Sequence, residues 1–358
     1  MKCSIGDILS LQRGYDLTKE EMKGGVIPVV GSNGIIGFHN IFNVEKPVIT
    51  LGRSGTVGIP HLYEENCWVH NTALFVTDFK GNNPYYLYYL LQVININQVA
   101  TSTGVPTLNR NFVYPLKIQF EMDLNNQNKI ASILSSIDVQ IKRNNEMVQK
   151  LQVLSQGIFN KFFINETDYI SLLDFPYIQI IKPGIDRFER SKHYIATAEV
   201  DNDKVNYNAP LIEYNTRENR ANMQPIKNSV WFAKMKNSIK HIYVSDVDSM
   251  FCSNYIFSTG FAGIKCEDIA FEYLIDFINA PYFEIKKDIL SHGATMEGVN
   301  NEDLKSIQIP LPSKERLVDF HNKVKKFHYQ ITMLNEQTFK LNNLKEKLLP
   351  LLINQQLS

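Results

Sequence analysis

Few stretches of this 358-residue chain set reactive side chains at spacings that chemistry requires. The turn Gly52-Arg53-Ser54-Gly55 gathers a guanidinium, a hydroxyl and backbone amides, a set suited to a phosphate or a guanine edge. It lacks the lysine of a nucleotide-binding P-loop. Asn83-Pro84-Tyr85 is similar to the tetrapeptide with which amino-methyltransferases hold an exocyclic amine. Here the second proline is missing, and the phrase opens a Leu/Tyr-rich segment with proline in its first turn, which predicts a helix start. No glycine-rich strand–turn–helix for a methyl donor accompanies it. Glu284-Ile285-Lys286, behind Asp276, has the residue types of a nuclease carboxylate–lysine set, but such triplets arise by chance in a chain of this composition. His39, His61, His70, His241 and His292 show neither metal-ligand spacing nor a nucleophile partner. Cys3, Cys67, Cys252 and Cys266 form no C-x-x-C pair, which predicts isolated thiols in a reducing cytoplasm. The chain is therefore expected to hold no catalytic site, no metal and no cofactor of its own.

Binding is the remaining class. The net charge is zero, which by itself argues against a partner rich in phosphate. The distribution is uneven: residues 1–123 sum to −1, 124–163 to +3, 164–312 to −6 and 313–358 to +4. Within the acidic third segment, Arg217, Arg220, Lys227, Lys234, Lys236 and Lys240 stand against only Glu218, a local excess of +5. Asn219, Asn222 and Asn237 lie among them, and asparagine pairs bidentately with adenine. Arg187, Arg190, Lys192 and His193 form a weaker cluster. In the first part of the chain, Ser32, Asn33, Arg53, Ser54, Thr103, Asn109 and Arg110 lie in polar turns. Each is a candidate DNA contact, with a solvated turn or charged face as the alternative.

Long helices must position these loops. Ile130, Leu134, Ile137, Ile141, Val148, Leu151, Ile158 and Phe162 recur in alternating steps of four and three, with Asn144 and Ser155 on the two remaining rungs. The same ladder returns 190 residues later as Phe320, Val324, Phe327, Ile331, Leu334, Leu341, Leu348 and Leu352, with Thr338 and Lys345 on the other rungs. A 3.5-residue repeat of this length predicts a coiled-coil seam. Neither stripe can be buried alone, and the order of segments favours an antiparallel pair. The polar rungs Asn144, Ser155, Thr338 and Lys345 are expected to fix register. Leu154, Leu344 and Leu349 lie beside the seam and widen it beyond what two helices need, which points to a docking face for another subunit.

The repeat extends upstream of each helix. The turn 104–109 (GVPTLN) precedes the strand-like 116–120, and 293–300 (GATMEGVN) precedes 305–310; 86–91 (YLYYLL) and 271–275 (FEYLI) read as equivalent short helices. Ile27-Pro28-Val29-Val30, Val48-Ile49-Thr50-Leu51 and Ala73-Leu74-Phe75-Val76 read as strands, with 229–233 and 242–244 in a comparable part of the second copy. The expected fold is α+β: two domains, 1–123 and 164–312, related by a pseudo-two-fold axis and separated by two long antiparallel helices, 124–163 and 313–358. No apolar run approaches the length of a membrane span, and the N-terminal MKCSIGDILSLQRG lacks a signal peptide's apolar stretch.

IPVVGSNGIIGFHN, VITLGRSGTVG and NPYYLYYLL in the first half, with RSKHYIATAEV, RANMQ and SVWFAKMKNSIK in the second, resemble phrases of the specificity subunits of type I restriction–modification systems. The resemblance implies two target-recognition domains, each reading half of a split DNA target, with the helices as spacers. It implies partners: double-stranded DNA, two methylation subunits and the restriction (motor) subunits. S-adenosylmethionine, ATP and magnesium would belong to those subunits. Three alternatives stay open: the recognition part of a related fused restriction–modification enzyme, a coiled-coil scaffold that binds only protein, and an enzyme with an unrecognised site.

Overall fold

The computed structural model describes residues 2–22, 24–100, 106–293 and 297–354. Two compact units emerge, Met1–Lys142 with Lys340–Ser358, and Arg143–Phe339.

The first unit carries an antiparallel sheet in the order Ser10–Arg13, Ala73–Asp78, Val48–Gly52, Pro60–Tyr63. Val48–Gly52 is buried along its whole length, as a continuous β-branched and apolar run requires of a central strand. A smaller sheet orders Gly34–His39, Ile27–Gly31 and Trp68–Val69, the last two parallel. Lys2–Ser4 pairs with Lys117–Gln119 just ahead of the first long helix. Helix Pro84–Val93 starts where Asn83 accepts the Tyr86 amide at 3.0 Å, with Pro84 in the first turn. Asn83 therefore caps a helix and holds no amine.

The second unit repeats this plan. Its antiparallel sheet runs Ile178–Ile181, Phe261–Cys266, Ser229–Ala233, His241–Val244. A second sheet orders Leu211–Ile212, Lys192–Ile195, Tyr255–Ser258 and Ala221–Met223, with the middle pair parallel. Tyr169–Ser171 pairs with Gln308–Pro310 ahead of the second long helix. In both units a central hairpin lies beside a strand that feeds a helix, Pro84–Val93 in one and Asp268–Asn279 in the other. The second copy adds helix Pro281–Leu290. Trp231 is fully buried across from Gly263, where a Cβ would lie 2.4 Å from the indole ring, so only glycine fits opposite it.

Two helices of 40 residues, Leu124–Phe163 and Lys314–Ile353, contribute to both units. Within the second unit, Val148 and Leu151 bury against Ile331, flanked by Phe327 and Leu334. Asn144 donates to Gln337 at 3.2 Å and to Thr338 at 3.3 Å, and Phe162 meets Phe320 at a ring separation of 5.7 Å. Ascending positions on one helix meet descending positions on the other, so these segments run antiparallel. Within the first unit, Lys345 pairs with Asp138, and Ile353, Leu349 and Leu352 join Ile130 and Leu134 in the core. The ladder is a helix–helix seam only in part. Phe320 and Val324 sink into the core of Asp268–Asn279, with Phe159, Phe163 and Leu317 from outside the ladder. Leu349 packs on the first unit's core, so it does not belong to an exposed docking face; Leu154 and Leu344 are exposed.

Candidate nucleic-acid interface

In the first unit the structure joins turns that lie far apart in sequence. Ser32 is buried; its hydroxyl donates to the Thr72 carbonyl and receives the amides of Arg53 at 3.2 Å and Ser54 at 3.3 Å. This pins the Ile27–Gly31 hairpin tip to the Gly52–Gly55 turn. The turn is pinned again by Leu108, whose amide donates to the Arg53 carbonyl at 2.8 Å, and by the Ser54–Thr107 bridge. A Cβ at Gly52 would sit 1.9 Å from the Thr56 carbonyl oxygen, so the tight return of the chain needs glycine there.

This packing corrects part of the expected chemistry. The amides of residues 52–55 are not offered to an anion: Gly52 donates to Ile59, Arg53 and Ser54 to Thr72, and Gly55 to Pro106. Buried Ser32 braces the turn, which removes it as a direct DNA contact. Asn109 caps the short helix Arg110–Val113 through the Asn111 amide, and Arg110 donates to the Leu11 carbonyl at 2.9 Å. The Arg110 guanidinium is thus a brace between loop and strand. What the turn presents outward is the half-exposed Arg53, Ser54 and the exposed Asn33. Thr103 lies outside the described residues.

In the second unit the basic stretch divides by its partners. Lys236 forms an ion pair with Glu297, and Asn237 sits at φ 54° in a turn, its amide donating to Asp288 at 2.9 Å. Lys240 donates to the Thr197 carbonyl at 2.6 Å. Asn222 lends its backbone carbonyl to Gly184. Arg220 and Lys234 come together at the Gly260 turn, where Lys234 donates its amide to Gly260 and a Cβ on Gly260 would lie 2.9 Å from the Arg220 guanidinium. Burial, and then the neighbouring Arg220 charge, push the Lys234 ammonium below the usual lysine range. Among the described residues neither cation forms an ion pair, and two cations held together are a site where an anion lowers the free energy. Arg217 instead lies over the Tyr214 ring, 4.3 Å from its centroid, and Lys192 over Phe188 at 5.2 Å. Sequence reasoning missed Tyr214 and Phe188, because their role is visible only once the cations lie on them.

The nuclease-like triplet is not assembled. Asp276 accepts from Ser155 at 2.6 Å, Glu284 pairs with buried Lys287 at 2.6 Å and with His241, and Lys286 lies over the Tyr282 ring. Among the described residues no group of three or more His, Cys, Asp and Glu side chains is placed to hold a metal ion. The four cysteines are free thiols, and burial pushes the Cys67 thiol up to about 12. No helix among the described residues is long and apolar enough to cross a membrane.

Comparisons with known proteins bear on this geometry. Residues 1–153 match the family model of the type I restriction modification DNA specificity domain. Across 176 residues the chain is 25% identical to a Mycoplasma pneumoniae protein named as a type I specificity subunit, S.MpnORF638P, covering 48% of this chain and 47% of that one. Across 173 residues it is 23% identical to the specificity subunit of the Escherichia coli type I restriction enzyme EcoprrI, covering 47% and 42%. These matches thus span under half the length of either relative. The crystal structure of a type I restriction-modification system S subunit from M. genitalium superposes with a TM-score of 0.67 over 99% of this chain and 96% of that one, at 16% identity, a likeness of fold.

Proposed function

We propose that the whole chain is the DNA-reading subunit of a type I restriction–modification system, a reading supported by the match of its first 153 residues to the specificity-domain family model. Each unit reads one half of a bipartite duplex target. The 40-residue helices, each about 60 Å long at 1.5 Å per residue, set the gap between the halves of the target. The observation that carries this reading is the same strand order built twice in one chain, each copy joined to both long helices.

Arg53 with Asn33 in one unit, and Arg220 with Lys234 in the other, meet the DNA. Two methylation subunits dock on the exposed helix faces, and restriction subunits join them. The methyl donor, ATP and magnesium belong to those partners in the cytoplasm, and this chain supplies sequence recognition without catalysis.

The test is methylome sequencing of cells that express the chain with type I methylation subunits. A split methylated motif is expected, and exchange of residues 1–123 for another recognition domain should alter one half of it alone. A contiguous motif, or none, would end the proposal.

A further inference from the structure

Resting on the DNA reading above, we propose that Arg217 reads a guanine edge in the half-site of the second unit, whereas Arg220 and Lys234 hold the backbone without reading sequence. The assignment separates two arginines only three residues apart, and their surroundings differ in kind.

Arg217 is held as a fixed planar donor. Its guanidinium stacks 4.3 Å from the Tyr214 ring centroid and donates to the Tyr214 carbonyl. Tyr214 in turn stands edge-on to Phe188 at 5.5 Å and 89°. Phe188 packs on the buried cluster of Tyr194, Ala221 and Ile256. The chain of contacts runs from core to guanidinium, so little rotamer freedom is left to lose on binding. A rigid, planar fork matches the O6 and N7 acceptors of guanine, and lysine cannot reproduce it.

The charge around it is mixed, with Lys192 over the neighbouring Phe188 ring and carboxylates nearby. Glu199, Glu213 and Glu218 line one groove beside Thr216, and Glu213 and Glu218 are exposed. Among the described residues no carboxylate pairs with Arg217. A guanine edge is neutral and offers two acceptors, so the same carboxylates do not exclude it. At Gly260, by contrast, Arg220 and Lys234 lie together, and among the described residues neither forms an ion pair. Phosphate contacts fix orientation and base contacts fix sequence, and the two arginines divide along that line.

The experiment selects duplexes from a randomised DNA library with the full chain assembled with type I methylation subunits, comparing wild type with R217A, R217K and R220A. R217A and R217K should select a motif degenerate at one G·C position and bind the wild-type motif about tenfold more weakly. Replacing that guanine by 7-deazaguanine, which lacks the N7 acceptor, should weaken wild type by a similar factor and leave R217A unchanged. R220A should keep the motif, weaken all duplexes alike, and reduce the salt slope by about 1. Melting temperatures close to wild type establish that the variants fold; because R217K keeps the charge, sharp selection by R217K would assign the effect to charge and overturn the proposal. So would an R217A motif as sharp as wild type at every position. If wild type selects no motif at all, the DNA reading itself falls, which is a different result from unaltered selection by R217A.

Discussion

Lys345 places its ammonium 2.6 and 2.9 Å from the two carboxylate oxygens of Asp138, inside the first unit and across the two long helices. Tyr89 donates to the same carboxylate at 2.7 Å, and the Lys345 ammonium lies over the Tyr89 ring. The second unit contains the corresponding junction with other chemistry. Ser155 and His328, which stand at the repeat-equivalent positions of Lys345 and Asp138, meet at 2.9 Å, and Ser155 donates to Asp276 of helix Asp268–Asn279 at 2.6 Å. In each copy a polar pair across the helices is tied to a helix of the globular part. Register between strut and domain is therefore fixed by directional bonds.

Breaking one partner of the Asp138–Lys345 pair should cost more than removing both. The Lys345 side chain is only 19% exposed, so K345M leaves a half-buried carboxylate with Tyr89 alone. A loss of about 1–3 kcal/mol is expected for K345M, with D138N/K345M recovering part of it. Thermal or urea unfolding of the four species of the cycle measures the coupling. A coupling energy of zero would show that the contact is solvated and idle.

The long helices were legible because a pattern of one residue class over ten rungs needs no tertiary information. Their ends were not, since Phe320 and Val324 look like any other rung, yet they are swallowed by the Asp268–Asn279 core. The central strands were equally plain, being uninterrupted β-branched runs. Edge strands such as Gly34–His39 were not anticipated, because glycine interrupts the β-branched run that marks a central strand. At the candidate interface, residue type marks polar turns but not the roles of the side chains within them. Ser32 and Arg110 are consumed by carbonyls of Thr72 and Leu11, and Lys236 by Glu297, partners 40, 99 and 61 residues away. No local spacing encodes such contacts.

Gly52 tests whether the pinned turn matters. A Cβ there has no room beside the Thr56 carbonyl, and the obstacle is backbone. G52A should destabilise the first unit by about 1–3 kcal/mol as the turn is forced open. Under the DNA reading, the motif should blur in one half only. A melting temperature equal to wild type would mean that the turn relaxes freely.

Val153 and Leu154 test the docking of methylation subunits. They are 73% and 55% exposed on the first long helix within the second unit, so lysine at both positions removes no packing. The V153K/L154K chain should unfold within about 0.5 kcal/mol of wild type. Its co-purification with methylation subunits should fall at least severalfold, since a charge in an apolar contact is desolvated on binding. Undiminished co-purification would move the docking face elsewhere.

Glu284 supports the basic loop from below and should make stability depend on acid. Burial works against ionisation of its carboxyl, but hydrogen bonds from His241 at 2.9 Å and Lys287 outweigh it, leaving Glu284 below its ordinary value of 4.5. Lys287 is fully buried, and its ammonium also binds the Ser238 carbonyl in the loop at 2.9 Å. A carboxyl that is more acidic in the folded state adds stability above its unfolded pKa, and that part disappears as pH falls through the lower, folded one. Wild type should therefore lose stability below about pH 4.5, and E284Q should show a flatter acid limb. At neutral pH, E284Q removes the carboxylate partner of buried Lys287 and should cost about 3–5 kcal/mol, while E284Q/K287M should regain much of that loss. Urea titrations at pH 7 and pH 3.5 decide the matter. Parallel acid limbs for wild type and E284Q would show that this carboxylate carries none of the pH dependence.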